Sequence, residues 1–124
     1  MELKGAMIFV KDIERMTAFY RDGVGLRVRP ETASEGWVEF AAGDAALALH
    51  SIPSDIAKDI KITTPPEPRS NTAIKLVFEV LDLGPARAHL IAHGAVMHEP
   101  HRWNGCAGLD PEGNVFQIVE KKER

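Results

Sequence analysis

The chain has 124 residues, enough for one domain with a real core, and its 44% apolar and 27% charged residues are ordinary for a globular protein. A net charge of −3, with no clustered Lys/Arg stripe, argues against nucleic acid, and no apolar run reaches the 18 or so residues of a membrane helix. The single cysteine, Cys106, rules out an intrachain disulfide, and MELKGAMIFV lacks the long apolar core of a signal peptide, so a cytoplasmic protein is expected.

In chain order, Leu3 to Val10 reads as a strand, and Asp12 is the N-cap candidate for a helix carrying Ile13, Met16, Phe19 and Tyr20 at helical spacing. Gly23 and Gly25 end that helix. Leu26 to Arg29 is a second strand, stopped by Pro30. Gly36 to Ala41 is a third, with Trp37, Glu39 and Ala41 on one face. Gly43-Asp44 predicts a tight hairpin into a fourth strand, Ala45 to Ile52. In that strand Leu47 and Leu49 belong under the helix, leaving Ala46, Ala48 and His50 on the opposite face.

The stretch 53–72, with Pro65, Pro66 and Pro68, has linker or lid composition, and its portion Asp55 to Ile62 is compatible with a short helical turn. The order of elements then returns. Ala73 to Val80 is a strand, Asp82 opens a helix stopped by Gly94, Val96 to Glu99 is a strand halted by Pro100, and Trp103 to Leu109 and Val115 to Val119 form a last hairpin. Its turn, Asp110-Pro111-Glu112-Gly113-Asn114, combines a fixed φ at proline with residues that tolerate positive φ. Val10 matches Val80, Asp12 matches Asp82, Ile13 matches Leu83, Pro30 matches Pro100 and Gly43 matches Gly113, each pair 70 apart. A constant offset across cap, core and turn positions argues for two copies of one strand-helix-strand-strand-strand unit, about 1–52 and 73–124, within a single domain.

A strand ending Val10-x-Asp12, the Phe19-Tyr20 helix followed by Gly23-x-Gly25-Leu26, and Asp110-Pro111-x-Gly113-Asn114 together resemble the vicinal oxygen chelate superfamily. This group contains glyoxalase I, extradiol dioxygenases, fosfomycin-modifying enzymes and bleomycin resistance proteins. The resemblance spans essentially the whole chain. It implies an α+β fold of paired βαβββ modules whose sheets curl into a cup, and commonly a homodimer. It also implies four inward-facing positions, one on the first and one on the last strand of each module, which hold a divalent ion in metal-dependent members.

Carried over position by position, that set fails. The first-strand positions fall on Gly5, which has no side chain, and Lys75, a cation without a lone pair while protonated. The last strand of the first module offers Leu47 or Ala48. Only Gln117, on the second module's last strand, has an oxygen donor. Lys75 has two readings: a charge in the metal's place facing an anionic or carbonyl ligand, or a side chain paired with Glu79 or Glu39. His50 is a candidate ligand contact or general base, or else a strand-end histidine. Trp37 and Trp103 would give a flat wall for a planar ligand, or pack as core. His98, Glu99 and His101 read as a solvated strand end, His89 and His93 as a surface pair at i, i+4, and Cys106 as a small buried filler. The expectation is a metal-independent binding protein for a small organic molecule, with Lys75, Gln117, His50, Glu39, Trp37 and Trp103 as its contacts and no cofactor. The alternative is a divalent-metal-dependent glyoxalase-like lyase or dioxygenase, with ligands drawn from His50, Gln117, Glu39 or Glu79.

Overall fold

A computed structural model of the chain describes residues 1, 3–69, 74–101 and 104–121. The chain divides into two compact units, Met1–Lys61 and Ile62–Arg124.

The first unit runs β1 (Gly5–Val10), α1 (Ile13–Ala18), β2 (Arg27–Val28), β3 (Trp37–Ala42), β4 (Ala45–Ser51) and α2 (Ser54–Ala57). Its sheet has the order β1-β4-β3-β2, with β1 parallel to β4 and the other neighbours antiparallel. Asp12 caps α1 as its position suggests: its carboxylate accepts from the Arg15 N–H at 3.1 Å. From Phe19 to Gly23 the helix widens into a π turn, in which the Val24 N–H reaches back five residues to the Phe19 carbonyl. Phe19 and Tyr20 are both buried, edge to face at 5.0 Å, and Tyr20 also meets Phe40 of β3. With Val10, Met16, Leu47 and Leu49 these rings make the unit's core.

The second unit repeats the order: β5 (Leu76–Val80), α3 (Leu83–Ala92), β6 (Val96–Met97), β7 (Gly105–Leu109) and β8 (Val115–Glu120), in a sheet ordered β5-β8-β7-β6. Its core holds Leu83, Leu90, Met97, Cys106, Leu109, Phe116 and Ile118. Asp82 precedes α3 as expected, yet its side chain makes no capping bond. The Glu120 carboxylate, from the far end of β8, accepts from the Leu83 N–H at 2.9 Å instead. Cys106 is fully buried, with its thiol donating to the His98 carbonyl at 3.0 Å.

The segment read as a linker is shared between the units. Its first part belongs to the first unit, where Ala57 is buried and the Lys11 ammonium donates to the Ile60 carbonyl. Its later part lies over the Asp110–Asn114 turn: the Arg69 N–H donates to the Gly113 carbonyl at 3.1 Å, and the Arg69 guanidinium faces Glu112 at 3.4 Å. The fold is thus α+β, two βαβββ units each built on a four-stranded sheet, as the repeat predicts. No helix among the described residues is long and apolar enough to cross a membrane.

Candidate functional site

Pairing register decides which side chains share a face, because residues directly opposite in a sheet point the same way. In the first unit Met7 and Glu39 both stand opposite Ala48, while Phe9 and Trp37 both stand opposite His50. These six residues form the face turned away from α1, since Leu47 and Leu49 point under the helix and are buried. At one end of this face three rings meet. His50 lies 5.5 Å from Phe9 and 5.7 Å from Trp37, centroid to centroid. Phe9 remains 48% exposed and Met7 46%, so the cluster presents apolar surface rather than a closed core. Glu39 sits beside it with its carboxylate bound by Arg29 at 3.1 Å. The sequence singled out His50, Trp37 and Glu39 and missed Phe9 and Arg29. The i, i+2 spacing of Met7 and Phe9 was the available signal, but only the parallel register of β1 with β4 brings Phe9 to His50.

In the second unit Val77 and Ala107 stand opposite Gln117, and Glu79 and Gly105 stand opposite Val119. Lys75, just before β5, is exposed, and its ammonium donates to Gln117 Oε1 at 3.4 Å. The other end of the same amide, Nε2, leans over Gly105, where a Cβ would lie 3.3 Å from it. Lys75 and Gln117 therefore come together on the face opposite Phe116 and Ile118 and offer N–H donors over a floor of small residues. The partner of Lys75 is Gln117 rather than Glu79 or Glu39, and Glu39 is held by Arg29. Trp103 lies outside the described residues.

The registers also align the two units residue by residue. Met7 answers to Val77 at an offset of 70, Ala48 to Gln117 at 69, and Glu39 to Ala107 at 68. The repeat partner of Gln117 is therefore Ala48, and the partner of Trp37 is Gly105. His50 answers to Val119 and Phe9 to Glu79, so the aromatic cluster belongs to the first unit alone.

The same alignment tests the metal positions that the resemblance implies. Gly5 is more than an absent ligand: a Cβ built there would lie 2.1 Å from the Ala46 carbonyl oxygen, because β4 runs against it. The backbone of the neighbouring strand occupies the place a side chain would leave from. Ala48 contributes only a methyl group, Lys75 presents an ammonium, and Gln117 Oε1 already accepts from that ammonium. A divalent ion needs several lone-pair donors converging at about 2.0–2.6 Å, and these four residues do not fit one. Among the described residues no three His, Cys, Asp or Glu side chains form a metal-holding group.

Of the remaining candidates, His98 follows β6 beside the second unit's face, its N–H donating to the carbonyl of Ala107 at 2.9 Å, while His89 and His93 lie on the helix side. His98, Glu99 and His101 are exposed, and Glu99 approaches Arg87 at 3.8 Å. His89 and His93 are exposed on α3.

A model of the glyoxalase-like domain matches residues 6–119. Among curated proteins no relative matches by sequence. Solved structures share the fold over nearly their whole length. A glyoxalase/bleomycin resistance protein/dioxygenase family enzyme from Burkholderia phytofirmans aligns with a TM-score of 0.75 at 22% identity, covering 97% of this chain and 98% of that one. The fosfomycin resistance protein FosX from Mesorhizobium loti aligns at 0.72 and 15% identity, over 98% and 92% of the two chains. FosX from Listeria monocytogenes, solved with Mn(II) and a dihydroxypropylphosphonic acid, aligns at 0.71 and 13% identity, over 95% and 88%. At these identities the likeness establishes the fold.

Proposed function

Starting from the chain's membership of the glyoxalase-like domain family, we propose that it is a metal-independent binding protein for a small organic molecule, acting as a cytoplasmic homodimer. The observation that carries this reading is the state of the four positions that would hold a metal. One is closed by the β4 backbone at Gly5, one is the methyl group of Ala48, and the other two, Lys75 and Gln117, are bonded to each other. What those residues do offer is recognition by N–H donors on the second unit's sheet. On the first, Trp37, His50 and Phe9 offer an aromatic surface and Glu39 a carboxylate already matched by Arg29. Burial of a flat apolar ligand surface against rings, with a few polar groups setting orientation, is the usual composition of a small-molecule site.

The test is a thermal-shift screen of small organic molecules carried out in the presence of EDTA, followed by the hits on Lys75→Met and Gln117→Ala. A ligand whose stabilisation survives chelation and falls in those variants supports the reading. Stabilisation that requires a divalent ion, together with stoichiometric metal that disappears in Gln117→Ala, overturns it. That result would favour the alternative reading, a metal-dependent lyase or dioxygenase. Light scattering on the eluting protein checks the dimer.

A further inference from the structure

We infer that α3 carries a separate two-histidine site, His89 and His93, for a transition-metal ion of the zinc, nickel or copper class. The two residues lie one helical turn apart at i, i+4, are both exposed, and hold their rings 4.3 Å apart between centroids with a 44° tilt.

The end of the helix prepares one of the rings. In a regular α-helix the His93 N–H would bond the carbonyl of His89. Here the last turn tightens, and that N–H donates to the Leu90 carbonyl at 3.1 Å. The His89 carbonyl takes the His93 ring instead, with Nδ1 at 2.9 Å. A carbonyl can only accept, so Nδ1 carries the hydrogen, and in the neutral ring Nε2 keeps its lone pair. A ligating histidine whose second nitrogen donates to a backbone carbonyl is the arrangement that fixes tautomer and ring direction in metal sites. The His89 ring, when neutral, also has one nitrogen that bears no hydrogen. Two nitrogens bound to one ion at about 2.0–2.1 Å stand roughly 3 Å apart, and the two ring centroids here are 4.3 Å apart.

Imidazole pairs select borderline ions and bind Mg²⁺ or Mn²⁺ weakly. The site is also independent of Lys75 and Gln117. Leu83 and Leu90 are the buried residues of α3, Phe116 and Ile118 are buried in the sheet behind them, and Lys75 and Gln117 lie on the other side of that sheet.

The experiment is calorimetric titration of the untagged full chain with ZnCl₂, NiCl₂ and CuCl₂, repeated on His89→Ala, His93→Ala and, as a control, His98→Ala. One equivalent should bind, tightest for copper. Affinity should fall by about tenfold or more in either helix variant and stay unchanged in His98→Ala. His89→Ala is the decisive variant, because alanine at an exposed helical position favours the helix. Circular dichroism checks this. Absence of binding by the wild-type chain, unchanged affinity in His89→Ala, or loss in His98→Ala would each overturn the site. The outcome stands apart from the proposed function, which is judged by ligand binding in EDTA and its response to Lys75→Met and Gln117→Ala.

Discussion

Asp110 has no exposed surface, and its carboxylate organises the turn before β8. One oxygen accepts from the N–H groups of Glu112 and Asn114 at 3.0 and 2.9 Å, and both oxygens accept from the Asn114 side-chain amide. Replacing Asp110 by Ala removes that acceptor, leaving the Glu112 N–H buried and the Asn114 donors half-buried without it. Hydrogen bonds to a charged group contribute about 1.5–3 kcal/mol, so urea denaturation of Asp110→Ala should show a loss of about 2–3 kcal/mol. Gly113 and Gly43 provide a sharper contrast. Both have positive φ, +85° and +62°, at equivalent hairpins. A Cβ at Gly43 meets nothing within 4 Å, whereas one at Gly113 would lie 2.0 Å from the Glu67 carbonyl oxygen. Gly43→Ala should cost about 1–2 kcal/mol, the left-handed conformation alone. Gly113→Ala adds a backbone collision and should cost clearly more, by the same measurement, while displacing the Glu67–Arg69 segment.

At the scale of elements, α3 starts without help from the residue in its N-cap position. The Leu83 N–H is satisfied by Glu120, so Glu120→Ala should cost about 1 kcal/mol and Asp82→Ala less than half of that, both read from denaturation midpoints. The contrast shows what the sequence discloses. Asp12 and Asp82 look alike in the repeat, and only one of them caps. Local signals such as Gly43, Gly94, Pro30 and the Asp110–Asn114 turn mark element ends well, because φ preference and turn chemistry act over a few residues. Partners distant in the chain are not marked. The repeat offset drifts from 70 at β5 to 69 at β8 and 68 at β7, and a one-residue drift exchanges the two faces of a strand. A fixed offset of 70 therefore pairs Gln117 with Leu47, a core residue, where the sheet pairs it with Ala48. Packing follows the drift. Phe40, fully buried in β3, answers to Gly108 in β7, and the space a side chain would take there is filled by Met97, whose sulfur would lie 2.4 Å from an added Cβ. Of the candidate site, Lys75, Gln117, His50, Trp37 and Glu39 were legible from alternation. Phe9 and Arg29 were not, since their places depend on which strands pair.

Over the whole molecule, duplication has left two sheets of one topology with unlike faces: rings and a matched ion pair on the first, an ammonium and an amide on the second. If neither retains a divalent site, the folded chain gains nothing from such an ion. A ligand that binds only the native state stabilises it by RT ln(1 + [L]/Kd), about 2.7 kcal/mol at a hundredfold excess over Kd. In a chain of 124 residues that corresponds to a rise in the melting midpoint of about 10 °C. Mn²⁺ is the informative ion, since a FosX of this fold was solved with it and imidazole pairs such as His89 and His93 bind it weakly. Melting of the His89→Ala/His93→Ala chain should give the same midpoint in millimolar Mn²⁺ as in EDTA. A rise that vanishes in Gln117→Ala would place a working metal on the second sheet and reverse the assignment of Lys75 from ligand contact to bystander.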